Sequence, residues 1–161
     1  YKRQVLDNVM FPMKMLTNKS LTEIKIAAEE VIERVNLIGA NNNLPVELSG
    51  GMQKRVAIAR AVIMKPKYLF CDEPNSGLDP KTAILIDNLI REITRENNIT
   101  TVINSHDMNS VLEIGDSILF LKDGIKAWEG SREVIFNTDN EAVNDFIYSS
   151  NLMKKLKQTH S

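Results

Sequence analysis

Tyr68-Leu69-Phe70-Cys71-Asp72-Glu73-Pro74 is four apolar residues running into two carboxylates and a proline. The apolar run predicts a short buried strand. Such a strand delivers Asp72 and Glu73 to the carboxyl edge of a sheet, where open α/β sheets bind ligands. A carboxylate there can hold Mg²⁺, directly or through water. Its neighbour can orient or deprotonate a water for attack on a phosphoryl group. Taken alone, the stretch equally suits a strand ending in a solvated turn, and the sequence around it has to decide.

Downstream, Asp79-Pro80 sets an N-cap Asp before a proline at the first helical position. Ile86, Leu89, Ile90 and Ile93 follow at helical spacing, and Asn97-Asn98 ends the pattern. Ile99 to Asn104 reads as a second buried strand. Strand, long helix, strand predicts a parallel βαβ unit with a right-handed crossover. Next, Asp107 can cap a short helix carrying Met108, Val111 and Leu112, with Gly115 as its terminator. Residues 117–122 and 125–129 flank Asp123-Gly124, a strong two-residue hairpin signal. Ser131 and Asn140 each precede short helical stretches. The last ten residues carry three lysines and little core material, so a frayed tail is expected there.

Upstream, Ser20-Leu21-Thr22-Glu23 is a capping box. Leu21, Ile24, Ala28, Val31 and Val35 then form one apolar helix face. Residues 5–16 mix apolar residues with Pro12 and show no clear period. Residues 39–45 form a polar, Asn-rich loop. Leu48-Ser49-Gly50-Gly51-Met52-Gln53-Lys54-Arg55 opens a second helix, through Val56, Ala59, Val62 and Ile63, which stops before Pro66. Ser49 can cap it, and two glycines let a phosphate approach the free amides of the helix start. An ordinary Ser cap with a flexible lead-in has the same residues.

Ser105-His106-Asp107 follows the second strand. A histidine at that sheet edge can hydrogen-bond a terminal phosphate or position a water, and it can equally be a satisfied loop histidine. A Ser-His-Asp triad is set aside: three consecutive residues do not easily converge as nucleophile, base and orienter, and no G-x-S-x-G elbow is present. Ser76-Gly77-Leu78-Asp79-Pro80 reads as a turn leading into the Asp79 cap.

Composition narrows the function. At 161 residues the chain is about one domain by length, enough to bury roughly two-thirds of its unfolded surface. Lys plus Arg is 20 and Asp plus Glu is 21, for a net charge of -1, which argues against a broad electrostatic nucleic-acid binder. The single cysteine, Cys71, excludes an intrachain disulfide. No apolar run approaches the ~20 residues of a membrane span, and Tyr1-Lys2-Arg3-Gln4 leads into no signal peptide. None of the seven glycines is followed by lysine, so the phosphate-binding loop G-x-x-x-x-G-K-[ST] is not in the chain. The first residue is Tyr rather than Met, and a piece of a larger protein is expected.

Order resolves the ambiguities that each motif leaves. Leu48-Ser49-Gly50-Gly51-Met52 resembles the signature motif of the ATP-binding subunits of ATP-binding-cassette (ABC) transporters. Tyr68 to Glu73 resembles their Walker B strand with its catalytic Glu, Ser76-Gly77-Leu78-Asp79 their D-loop, and His106 their switch histidine. All four stand in the family's order, and the resemblance runs from about Asp7 through the hairpin.

The resemblance implies an α/β fold: a partial RecA-like P-loop NTPase core, missing the P-loop strand, with the ABC helical subdomain and a C-terminal β-hairpin and helices. Residues 1–64 would be the helical subdomain with the signature, 65–150 the second half of the core, and 151–161 a flexible tail. The Walker A and glutamine loops would lie upstream, in a subunit of roughly 250 residues. ATP and Mg²⁺ are the implied cofactors. Two subunits would sandwich ATP head to tail. Ser49, Gly50, Gly51 and Met52 would face the γ-phosphate held by the partner, and Asp72 would serve Mg²⁺. Glu73 would act as general base, His106 would sense the γ-phosphate, and Asp79 would link the two sites. The remaining implied partners are membrane permease subunits, with the protein peripheral on the cytoplasmic face of the inner membrane and no nucleic acid. The 161 residues alone would bind ATP poorly and not turn it over. In the family sheet the strand at 99–104 lies beside the P-loop strand, so the chain alone would expose a raw edge and self-associate.

Met52 stands where the family most often has Gln. Together with Lys54 to Ala61 and Asn8-Val9-Met10-Phe11-Pro12, it resembles the branch serving lipid-trafficking systems with mammalian-cell-entry-type partners. Importers of other small solutes share much of the pattern, and a flexible apolar filler is the plain reading of Met52. A chromosome-maintenance or DNA-repair ABC ATPase would need long coiled coils, and none is present. A non-catalytic remnant is disfavoured by the intact Glu73 and His106.

Overall fold

The computed structural model describes residues 3–148. The expected tail at 151–161 lies outside them. The described chain forms two compact units that meet between Ser105 and His106. The expected boundary at 64/65 falls inside the first unit, between its third helix and first strand.

Four helices and a sheet make the first unit. Helix α1 (Val5–Leu16) is a correction, since no helix was expected at 5–16. Its buried residues are Val5, Val9, Met10 and Met13, one stripe at helical spacing. Pro12 sits inside the helix, where its missing N–H had masked the pattern.

Helix α2 (Leu21–Arg34) starts on the expected capping box: the Glu23 amide donates to Ser20 Oγ at 3.3 Å and the Ser20 amide to Glu23 Oε2 at 2.8 Å. Ile24, Ala28 and Ile32 are its buried face, whereas Leu21 is exposed. Helix α3 (Gly50–Val62) starts at Ser49, whose Oγ accepts from the Met52 amide.

Strands β1 (Tyr68–Asp72) and β2 (Thr100–Asn104) pair in parallel, with Phe70 opposite Val102 and Asp72 opposite Asn104. Helix α4 (Pro80–Glu96) joins them, giving the expected βαβ unit. Asp79 caps α4 by accepting from the Thr82 amide at 3.1 Å. The face Ile86, Leu89, Ile90 and Ile93 is buried as its spacing required, and Asp87 is buried among them.

The strands themselves are a correction. Both were expected buried, yet only Leu69 of β1 is, while Phe70 is 75% and Val102 54% exposed. Strand side chains alternate between faces. One face (Leu69, Cys71, Ile103) packs against the core, and the other is open.

The second unit holds α5 (Met108–Ile114), the antiparallel hairpin β3 (Ile118–Lys122) and β4 (Ile125–Gly130), and α6 (Glu141–Ile147). Asp123 and Gly124 turn the hairpin with φ of 52° and 77°, the two left-handed residues that a type I′ turn requires. Ile118, Ile135, Val143 and Ile147 are its core. Gly115 closes α5 in an extended conformation, φ -76°, rather than a left-handed one.

Candidate functional site

The loop from Asp72 to Asp79 carries Asp72, Glu73 and Asp79, and the start of α3 carries Ser49 to Met52. Asp72 ends β1 with its side chain exposed, and Asn104, its partner across the sheet, donates Nδ2–H to Asp72 Oδ1 at 2.7 Å. That bond leaves the carboxylate open on its solvent side, which suits Mg²⁺ held by one carboxylate together with nucleotide phosphates and water. Among the described residues no group of three or more His, Cys, Asp and Glu side chains converges to hold a metal without a nucleotide.

Glu73 follows with a φ of 45°. Its backbone is tied three times. The Glu73 amide donates to the Asn104 carbonyl at 2.9 Å, Lys54 Nζ donates to the Glu73 carbonyl at 3.0 Å, and the Ser76 amide donates to that carbonyl at 3.2 Å. Lys54 lies on α3, the helix that begins with the signature residues, so α3 and the Glu73 loop are directly bonded.

Signature and D-loop also meet through the two glycines. A Cβ on Gly51 would lie 2.6 Å from Thr82 Cγ2, and one on Gly50 would lie 3.4 Å from Leu78 Cδ2. Only glycine at 51 lets α3 start so close to α4. Gln53 fixes the approach to that start by donating Nε2–H to the carbonyls of Pro45 at 3.0 Å and Leu48 at 3.2 Å. Ser49 and Gly50 remain exposed at the helix start, where free amides and the helix dipole favour an anion. Met52 is half-buried and packs against the core, as an apolar filler would.

Gly77 turns the D-loop with a φ of 77°. Two hydrogen bonds from Thr82, the hydroxyl's and the amide's, hold the Asp79 carboxyl below the usual carboxylate range. Burial pushes the Cys71 thiol up, so this cysteine is a small core residue rather than a nucleophile. His106 is exposed and opens the second unit, whereas Ser49, Gly50, Gly51, Met52, Asp72, Glu73 and Asp79 all belong to the first. A cleft of about 240 Å³ lined by Glu30, Arg34, Lys65 and Glu96 lies at the far, C-terminal ends of α2, α3 and α4 and touches none of these residues.

Sequence reasoning missed Lys54, Asn75, Asp87 and Asn104. Asn75 and Asp87 are both buried, and Asn75 Nδ2 donates to the two Asp87 oxygens at 3.4 and 3.3 Å. An acid within the apolar face of α4 was the one available signal for this pair.

Residues 2–76 match a family described as ABC transporter. In sequence, that stretch is similar to the ATP-binding domain of ABC transporters. The chain is 40% identical over 134 residues to a methionine import ATP-binding protein of Caulobacter vibrioides, covering 83% of this chain and 40% of the relative. It is 42% identical over 125 residues to a phosphonates import ATP-binding protein of Haloarcula marismortui, covering 75% and 43%. The chain thus spans about two-fifths of the length of these curated relatives.

Among solved structures, a dimeric ATP-binding cassette in a post-hydrolysis state with ADP and Pi matches with a TM-score of 0.72 and 34% identity, over 81% of this chain and 57% of that one. A metal-chelate type ABC transporter in an inward-facing conformation matches with a TM-score of 0.80 and 25% identity, over 89% and 58%. No helix among the described residues is long and apolar enough to cross a membrane.

Proposed function

We propose that the chain is the part of an ATP-hydrolysing subunit that carries the helical subdomain with the signature and the second half of the nucleotide-binding core, in a subunit that drives an ABC transporter. The observation that carries this reading is the loop after β1. It presents Asp72 and Glu73 at the carboxyl edge of a parallel sheet and is bonded by Lys54 to the helix that starts with Ser49-Gly50-Gly51. Phosphoryl transfer needs mostly positioning and charge stabilisation, and this arrangement supplies positioned groups.

In this reading Asp72 serves the Mg²⁺ that accompanies ATP, and Glu73 accepts a proton from the attacking water. His106 hydrogen-bonds the γ-phosphate. Ser49, Gly50, Gly51 and Met52 face a γ-phosphate carried by a second subunit arranged head to tail, and Asp79 relays between the two sites. The subunit sits peripherally on the cytoplasmic face of the inner membrane against permease subunits. Residues 1–64 act as a helical subdomain and 65–150 as the second half of the nucleotide-binding core.

No Gly-Lys pair occurs in the 161 residues, so by themselves they bind ATP poorly and do not turn it over. The open face of Tyr68, Phe70 and Val102 supports self-association of the chain on its own. The cargo is phospholipid, on the strength of Met52 and of Asn8-Val9-Met10-Phe11-Pro12. In that segment Phe11 is stacked by the Arg3 and Arg60 guanidiniums at 4.2 and 5.5 Å. Import of a small solute is the second reading, favoured by the names of the methionine and phosphonate relatives.

In the subunit that joins this chain to a phosphate loop, Glu73→Gln is expected to keep ATP binding and lose hydrolysis. Hydrolysis by that variant at the unaltered rate refutes the reading. Reconstituted with its permease in vesicles, the complex is expected to move phospholipid. Uptake of methionine or phosphonate, with no phospholipid movement, transfers the assignment to the second reading.

A further inference from the structure

Asp87 is a costly residue where it stands. It is 3% exposed, on the face of α4 that otherwise carries Ile86, Leu89, Ile90 and Ile93. Desolvation makes a buried carboxylate unfavourable unless its partners offset it. An isoleucine or leucine would continue the apolar face without that cost. Among the groups the carboxylate reaches is Asn75, itself 6% exposed, whose amide nitrogen spans both oxygens. Asn75 lies two residues after Glu73 and four before Asp79.

That loop needs holding. It contains two left-handed residues, Glu73 and Gly77, and for Glu73 the conformation is strained. Within the loop the Ser76 amide donates to the Glu73 carbonyl at 3.2 Å and the Leu78 amide to the Asn75 carbonyl at 3.3 Å. Lys54 and Asn104 grip Glu73 from α3 and β2. A second anchor lies past Glu73. The Asn75–Asp87 pair supplies that second anchor from α4.

We propose that Asp87 is a positioning residue for ATP hydrolysis: through Asn75 it holds the loop between Glu73 and Asp79 so that the Glu73 carboxylate and the D-loop keep one fixed spacing. The proposal rests on the reading of Glu73 as general base. Asp87 touches neither nucleotide nor water in it, and its effect is on the rate of the chemical step. With the anchor cut, Glu73 samples positions away from the attacking water, and a misplacement of the order of 1 Å costs about 10- to 100-fold in rate.

The test uses the subunit joined to its phosphate loop and assembled with its partners, with Glu73→Gln, Asp87→Asn and the exchange Asn75→Asp/Asp87→Asn. Asp87→Asn sets amide against amide, and the exchange restores a carboxylate facing an amide. The expected result is a kcat about 10-fold or more below the parent for Asp87→Asn, with the KM for ATP within about two-fold. Most of the rate returns in the exchange variant. Circular dichroism and thermal unfolding keep folding separate from turnover. Hydrogen exchange on the 161-residue chain gives a readout free of catalysis: the Ser76 and Leu78 amides exchange faster in Asp87→Asn while core α4 amides do not.

An unchanged kcat in folded Asp87→Asn overturns the proposal, as does slow exchange at Ser76 and Leu78. Equal loss of amide protection along α4 reduces the pair to a core contact and also overturns it. If Glu73→Gln itself leaves hydrolysis intact, the functional reading fails, and the exchange result then stands or falls alone.

Discussion

Gly51 marks a close approach between the signature helix and the D-loop helix, and it can be tested by a double-mutant cycle. A methyl at Gly51 would fall 2.6 Å from Thr82 Cγ2, well inside contact distance. Thr82 cannot simply rotate away, because its hydroxyl is hydrogen-bonded to Asp79 Oδ2. Overpacking of this kind costs about 1–3 kcal/mol. Replacing a helical glycine by alanine gains up to about 1 kcal/mol in backbone propensity. Gly51→Ala should therefore lower stability by about 0–2 kcal/mol net, up to roughly 4–8 °C in Tm for a chain of this size. Thr82→Ser removes Cγ2 and keeps the hydroxyl. In that background the methyl has room, and Gly51→Ala should stabilise by up to about 1 kcal/mol. Urea unfolding of the four proteins measures the coupling, expected at about 1–3 kcal/mol. Equal effects of Gly51→Ala in both backgrounds would refute the close approach of the two helices.

Other consequences can be checked directly. Arg34 donates to Glu96 at 2.9 and 2.6 Å, and this pairing holds the Glu96 carboxyl below its usual range. A carboxyl depressed in the folded state adds stability above its unfolded pKa and loses it as pH falls through the folded one. The stability gap between parent and Glu96→Gln should therefore be widest near neutral pH and close in acid. Denaturant titrations from pH 7 to pH 3 follow this, and a gap that widens in acid contradicts it. In the second unit, Asn140 caps α6 by accepting from the Val143 amide at 3.1 Å and donates to the Ala127 carbonyl of β4 at 2.9 Å. Asn140→Ala should cost about 1–2 kcal/mol and raise hydrogen exchange at Ala127's neighbours in the hairpin.

What was legible in the sequence was what periodicity and caps encode locally. Ser20, Ser49, Asp79, Asp107 and Asn140 cap helices where their side chains predicted, since an N-cap is a contact within three residues. Asp123-Gly124 turned the hairpin for the same local reason. The α1 stripe was hidden by Pro12. The openness of Phe70 and Val102 could not be read either, because apolar identity states what a strand can bury and not how many layers cover it. In the candidate site the short motifs were visible, while the groups that orient them were not. Lys54, Asn104 and Asp87 act over 19, 32 and 12 residues of separation, and only the fold brings them to the loop.

Glu73 is where local rules fail most informatively. It precedes Pro74, a setting that predicts extended backbone, yet its φ is 45°. A non-glycine residue held there costs of order 1–3 kcal/mol and persists only where its surroundings over-determine it. The backbone bonds from Asn104, Lys54 and Ser76 are those surroundings. The comparison that isolates the strain is Glu73→Gly against Glu73→Ala, since both remove the carboxylate. At a right-handed or extended position alanine is the more stable by about 0.5–1 kcal/mol, because glycine loses more entropy on folding. At a left-handed position the order reverses, and glycine should be the more stable by about 1 kcal/mol. Urea midpoints of the two variants decide it, and an alanine variant as stable as the glycine one would remove the strain. A reversal means that this position keeps a glutamate at the expense of the fold, as expected of a residue retained for its carboxylate.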